Sequence, residues 1–107
     1  MNKKYPDIYE KGIELFIKES ELDREDAEEL FDEYIENIGF MVLQLEEMMK
    51  LGDVDGFKMK IHQLKGVSGN LRVKEIYEDC KKAEELIING FSNEINEIMK
   101  DIKKLGI

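Results

Sequence analysis

The chain is short of almost everything that would staple or interrupt a small protein. It has one cysteine, Cys80, so no disulfide can form within it. One histidine beside that cysteine is too few ligands for a zinc site. The only proline, Pro6, lies near the start and leaves everything after it free to be helical. Apolar runs such as Phe40 to Leu43 are only a few residues long, which excludes membrane insertion. The opening MNKKYPDIYE has no apolar h-region, so it does not read as a secretory signal, and the expected compartment is the cytoplasm. Basic residues are also scarce. Sixteen Lys and Arg stand against 25 Asp and Glu, a formal net charge of -9, which argues against nucleic acid as a partner.

With 107 residues, the chain suffices for one compact domain and excludes most two-lobed enzymes. A hydrophobic content of 42% alongside 38% charged residues allows a buried core under a well-solvated surface. No internal repeat and no Ser- or Pro-rich linker divides it. Punctuation comes instead from glycines and capping residues, which predict five helices.

The first helix is expected from about Pro6 to Ser20, with Ile13, Phe16 and Ile17 on its apolar edge. Asp23 is a good N-cap for the second, and Glu25 and Asp26 place negative charge in its first turn. Leu30, Phe31, Tyr34, Ile35, Ile38, Met41, Val42, Leu45, Met48 and Met49 then recur at helical spacing through about Lys50. Gly52 ends that helix and Asp53 caps a third, from Val54 to Gly69 or Asn70. A fourth is expected from Val73 to Asn89, with Val73, Ile76, Cys80, Ala83 and Ile87 inward and Gly90 at its end. Ser92 caps a fifth, whose inward residues would be Ile95, Ile98, Met99 and Ile102, with Leu105 near the end.

No segment alternates at period two, so no strand is predicted. Short connections make neighbouring helices antiparallel. The expected fold is therefore all-α: an antiparallel up-and-down four-helix bundle over residues 23–107, with the helix of residues 1–22 packed across one end.

The third helix carries the only histidine. At about 100° per residue, Val54, Phe57, Ile61, Leu64, Ser68 and Leu71 gather on one side, and His62 falls about 130° from their centre. It is predicted to face water. Its neighbours on the wheel are Lys58 and Met59 one turn before, Lys65 and Gly66 one turn after, and Gly69 two turns after. Glycine inside a helix costs about 1 kcal/mol relative to alanine. Beside an exposed imidazole it leaves room for another protein to approach the ring. Lys65 has a chemical reading too: a positive neighbour favours the ring form with a free lone pair, and an ammonium can later pair with phosphoryl oxygens.

Plainer readings exist for each residue. His62 could be an ordinary surface histidine on a structural bundle, Lys65 a solvated helix lysine, and Gly66 and Gly69 marks of fraying toward Asn70. Met59 lies off the apolar stripe and belongs to a docking surface, whereas Met48 and Met49 read as core filler or interface. Cys80 reads as a buried small hydrophobe. The acidic runs from Glu25 to Glu29 and Glu94 to Asp101 read as solvated faces.

The run His62-Gln63-Leu64-Lys65-Gly66-Val67-Ser68 resembles the H-x-L-K-G-x-S core of the histidine-containing phosphotransfer (HPt) domains. Leu71, Ile76, Cys80 and Glu84 stand at family-like positions, and Leu51-Gly52-Asp53 is similar to the family's G-D helix connection. The likeness covers most of residues 23–105. It implies a four-helix bundle in which His62 takes a phosphoryl group from the aspartyl phosphate of a response-regulator receiver domain, or from a sensor histidine kinase, and passes it to a receiver aspartate.

The resemblance also implies that the chain needs no cofactor of its own, because the receiver supplies Mg²⁺ and most of the electrostatic stabilisation. That agrees with the lack of a phosphate-binding glycine loop or kinase nucleotide motif: the chain would be a monomeric phosphoryl carrier, not an independent enzyme. His62 and Lys65 would carry the chemistry, and Lys58, Met59, Gly66, Gly69 and Arg72 the docking surface. Arg72 is a departure, since family members usually carry glycine there, and often alanine near Val73. The alternative reading is a receiver-docking or helical adaptor module that carries no phosphate.

Overall fold

The computed structural model describes the backbone of residues 6–71 and 73–106, and side chains over 13–71 and 73–104. Arg72 and the side chain of Leu105, both named above, lie outside the described residues. Five α-helices follow in order: α1 (Pro6–Ser20), α2 (Arg24–Leu51), α3 (Val54–Asn70), α4 (Lys74–Leu86) and α5 (Asn93–Gly106). A single 3₁₀ turn, Ile87–Asn89, follows α4. Among the described residues there is no strand, and no helix is long and apolar enough to cross a membrane.

The capping chemistry explains the boundaries. Asp23 Oδ1 accepts from the Asp26 amide at 2.9 Å, and Asp53 Oδ1 from the Gly56 amide at 2.9 Å, so each carboxylate satisfies an amide that its helix leaves without a partner. Gly52 takes a left-handed conformation (φ 69°), which lets the Asp53 amide reach back to the Met48 carbonyl at 2.8 Å and close α2. One tight turn thus ends α2 and starts α3. The Ser92 hydroxyl accepts from the Ile95 amide at 3.3 Å, as expected for the cap of α5.

The end of the fourth helix differs from expectation. Val73 is its N-cap and, having no side-chain acceptor, adds no capping hydrogen bond. The expected last turn to Asn89 tightens to 3₁₀ after Leu86, with the Gly90 amide donating to the Ile87 carbonyl at 2.9 Å.

Packing runs α2 on α3, α3 on α4, α4 on α5 and α5 back on α2, while α1 lies against α2. The buried core draws on every helix, from Ile13 of α1 through Phe31, Ile38 and Leu45 of α2, Phe57, Ile61 and Leu64 of α3, and Ile76 and Ala83 of α4 to Ile95 and Ile102 of α5. Leu30 departs from its predicted inward place: it is exposed, and Ala27, one turn earlier, is buried instead.

Tyr34 and Ser68 meet in the core, hydroxyl to hydroxyl at 2.6 Å. This bond explains how α3 tolerates a fully buried serine, and burial lifts the Tyr34 hydroxyl well above its ordinary pKa. It also fixes register. Because α2 and α3 are joined by the Gly52 turn and touch again at Tyr34 and Ser68, they run antiparallel side by side.

Candidate functional site

His62 stands on α3 between buried Ile61 and the next inward residue, Leu64. Its own side chain is 68% exposed, as the wheel predicts. The ring is held by a residue from the neighbouring helix: Nδ1 lies 2.6 Å from Glu84 Oε2 on α4. The other oxygen of that carboxylate, Oε1, accepts from Lys65 Nζ at 2.5 Å. One carboxylate therefore ties the imidazole and the ammonium together across the α3–α4 seam.

The pairing has electrostatic and tautomeric consequences. The Lys65 ammonium, and secondarily the His62 ring, hold the Glu84 carboxyl below the usual carboxylate range against an opposing effect of burial. Glu84 in turn raises Lys65. An ionised carboxylate only accepts hydrogen bonds, so the proton of the contact belongs to Nδ1. In the neutral ring the lone pair then sits on Nε2, on an exposed side chain. The arrangement offers a nitrogen nucleophile to solvent while its opposite nitrogen is anchored.

The depressed Glu84 value sets a sign for pH dependence. Its contribution to holding α3 on α4 is fully present above the unfolded carboxylate pKa and is lost as pH falls through the lower folded value. Acid titration followed by NMR is expected to release the His62 and Lys65 contacts together, in a single event assigned to Glu84.

Lys65 therefore approaches the ring by way of Glu84. The expectation from the third helix alone was an ammonium beside the imidazole; what the wheel lacked was the acid on α4 that both groups share. In the sequence, Glu84 stands out only as a family-like position. No signal within one helix gives that contact, because it depends on the α3–α4 register: Tyr77 packs at Gly69, and Glu84 lies as far beyond Tyr77 as His62 lies before Gly69.

The two glycines beside the ring have different reasons. A Cβ at Gly69 would come 3.2 Å from Tyr77 Cδ1, so the missing side chain there lets α4 approach α3. Gly66 is exposed and a Cβ on it would meet nothing within 4 Å. The fold does not need that glycine. Gly66→Ala is expected to raise stability by up to about 1 kcal/mol in a denaturant melt, as helix propensity dictates, and Gly66→Leu to fold as well while obstructing any partner at His62.

Lys58 and Met59 are both exposed on α3, Met59 at 68%. Arg72, the remaining predicted docking residue, lies outside the described residues. Cys80 is buried behind the site, and burial pushes its thiol up to about 12, which leaves it inert as a nucleophile. Among the described residues no three His, Cys, Asp or Glu side chains gather as metal ligands. Comparison with known proteins returns no matching family model, no matching curated protein and no matching solved structure.

Proposed function

We propose that this chain is a histidine phosphotransfer module: α2 to α5 as an antiparallel up-and-down four-helix bundle, α1 across one end, and His62 as the residue that carries the phosphoryl group. The observation that supports it most is the exposed imidazole anchored through Nδ1 by Glu84, one turn from a glycine that the packing does not require. The closed circuit of helix contacts supports the bundle. Leu15 of α1 shares a groove with Ser68, Gly69 and Asn70 of α3 and Lys74 and Tyr77 of α4, which supports its place over that end.

In this reading the Nε2 lone pair attacks phosphorus of an aspartyl phosphate on a receiver domain. The N–P bond forms as the acyl phosphate P–O bond breaks, and the electron pair leaves on the receiver carboxylate. The ring becomes cationic while it keeps its Nδ1 proton, and the Glu84 carboxylate offsets that charge. Lys65, one turn along α3, is placed to shift from Glu84 toward the phosphoryl oxygens. The return transfer reverses each step. Mg²⁺ would come from the receiver, and the fitting compartment is the cytoplasm, where receivers and sensor histidine kinases meet.

The basic residues of α3 favour an acidic partner site. Lys58, Lys60 and Lys65 stand against a single acid, Asp55, on that helix, although the chain as a whole is strongly acidic. The test is incubation with a set of receiver domains charged by a small acyl phosphate. Wild type is expected to gain an acid-labile, base-stable phosphate and His62→Gln none. Labelling of His62→Gln, or none of the wild type by any charged receiver, overturns the proposal.

A further inference from the structure

The outer face of α2 carries an exposed apolar pair that the phosphotransfer reading does not use. Phe40 is 69% exposed and Leu43 61%, while Ile38, Val42 and Leu45 beside them are fully buried. At about 100° per residue, Phe40 and Leu43 point about 160° and 140° from the centre of the buried face. They flank the line that leads straight out from the core.

This surface is separate from that of His62. His62 leans toward α4, where Glu84 holds it, whereas α2 lies on the other flank of α3. On its far side α2 meets α5 through the Glu46–Lys103 ion pair at 3.3 Å. Phe40 and Leu43 lie between those two flanks, and among the described residues no helix covers them.

Two more observations describe what would fit there. Gly39 sits next to Phe40 in mid-helix, and a Cβ on it would meet nothing within 4 Å, so the packing of this chain does not call for a glycine. Its absent side chain leaves the backbone of α2 open to close approach beside the apolar pair. Charge is the second. From Arg24 to Leu51, α2 holds nine acidic residues against Arg24 and Lys50, and Glu33, Glu36 and Glu47 are exposed along the same outer face.

We propose that this face of α2 docks a cationic amphipathic helix, with apolar residues seated on Phe40 and Leu43 and Lys or Arg side chains reaching the carboxylates on either side. Charge complementarity selects that occupant. A second copy of the chain would bring the same acidic stripe and a net charge of -9 against it, and an anionic lipid surface would be repelled in the same way. The inference stands apart from the phosphotransfer reading: a protein able to accept phosphate on His62 would still have this second surface, and so would one unable to.

The experiment titrates the full chain with a fluorescent Leu/Lys amphipathic helical peptide at near-physiological ionic strength, reading anisotropy, and maps the complex by amide chemical shifts. Shifts are expected along the outer face of α2. A Phe40→Ser/Leu43→Ser double variant is expected to weaken binding about tenfold or more, as loss of central apolar anchors does, and Glu36→Lys/Glu47→Lys to do likewise. Ile88→Ser, which removes an equally exposed apolar residue elsewhere, is expected to leave it unchanged.

These residues are exposed, and thermal melts of the variants matching wild type would establish that the fold is intact. Equal binding of a Leu/Glu peptide, shifts spread over all acidic surfaces, or equal binding by the Phe40→Ser/Leu43→Ser variant would overturn the proposal. So would sedimentation showing that the chain pairs with itself through Phe40 and Leu43.

Discussion

Replacing Glu84 with alanine is expected to slow phosphoryl transfer to His62 by about 10- to 100-fold while leaving affinity for the receiver unchanged. The figure follows from the interaction removed: a hydrogen bond to a charged group is worth about 1.5–3 kcal/mol, and each 1.36 kcal/mol in a barrier is about tenfold in rate. Glu84 is a positioning residue in this account. In the proposed reaction it would fix which nitrogen bears the proton and offset the charge that the ring gains, without touching phosphorus itself. Single-turnover kinetics at rising receiver concentration separate the two effects. A loss confined to receiver affinity would mean that Glu84 only shapes the surface. Glu84→Gln keeps an acceptor oxygen without the charge, and is expected to restore part of the rate.

The second large effect is on stability. Phe57→Ala is expected to cost about 3–5 kcal/mol, against a total of about 5–15 kcal/mol for a domain of ordinary stability. Phe57 is fully buried near the start of α3, and its ring meets Phe91 edge-on at 5.2 Å between centroids. Phe91 lies in the connection between the 3₁₀ turn and α5, so this contact ties the start of the histidine-bearing helix to the segment that leads into α5. A urea melt gives the value directly. A cost below about 1 kcal/mol would mean that the site collapses around the lost ring.

Local chemistry made much of the fold legible. Gly52 and Asp53 marked the turn between α2 and α3 because a left-handed residue followed by a carboxylate cap is a signal confined to a few neighbouring positions. The inward residues of α3, from Phe57 to Ser68, followed from a single helical period. Less legible was whatever depended on where a helix edge meets its neighbour. Leu30 sits on the margin of its stripe, where a single helical period does not settle exposure, and it is exposed while Ala27 is fully buried. At the tightened end of α4, Ile87 opens the 3₁₀ turn and is fully buried.

The same division holds at the site. The exposure of His62 and the proximity of Lys65 and Gly66 belong to one helix and could be read from it. Glu84 lies on another helix, and its contact with both His62 and Lys65 needs the register between α3 and α4. Gly69 made the same point in reverse. Its place beside His62 suggested access, and the Tyr77 ring on the facing helix explains it by packing.

In the proposed reaction, the Glu84 contact decides which ring nitrogen takes the phosphoryl group. NMR of the isotope-labelled, phosphorylated protein distinguishes the two isomers through the coupling of phosphorus to the imidazole atoms. With Nδ1 held by Glu84 at 2.6 Å, the phosphate is predicted on Nε2 of His62. Phosphate on Nδ1, or on any residue other than His62, would contradict it.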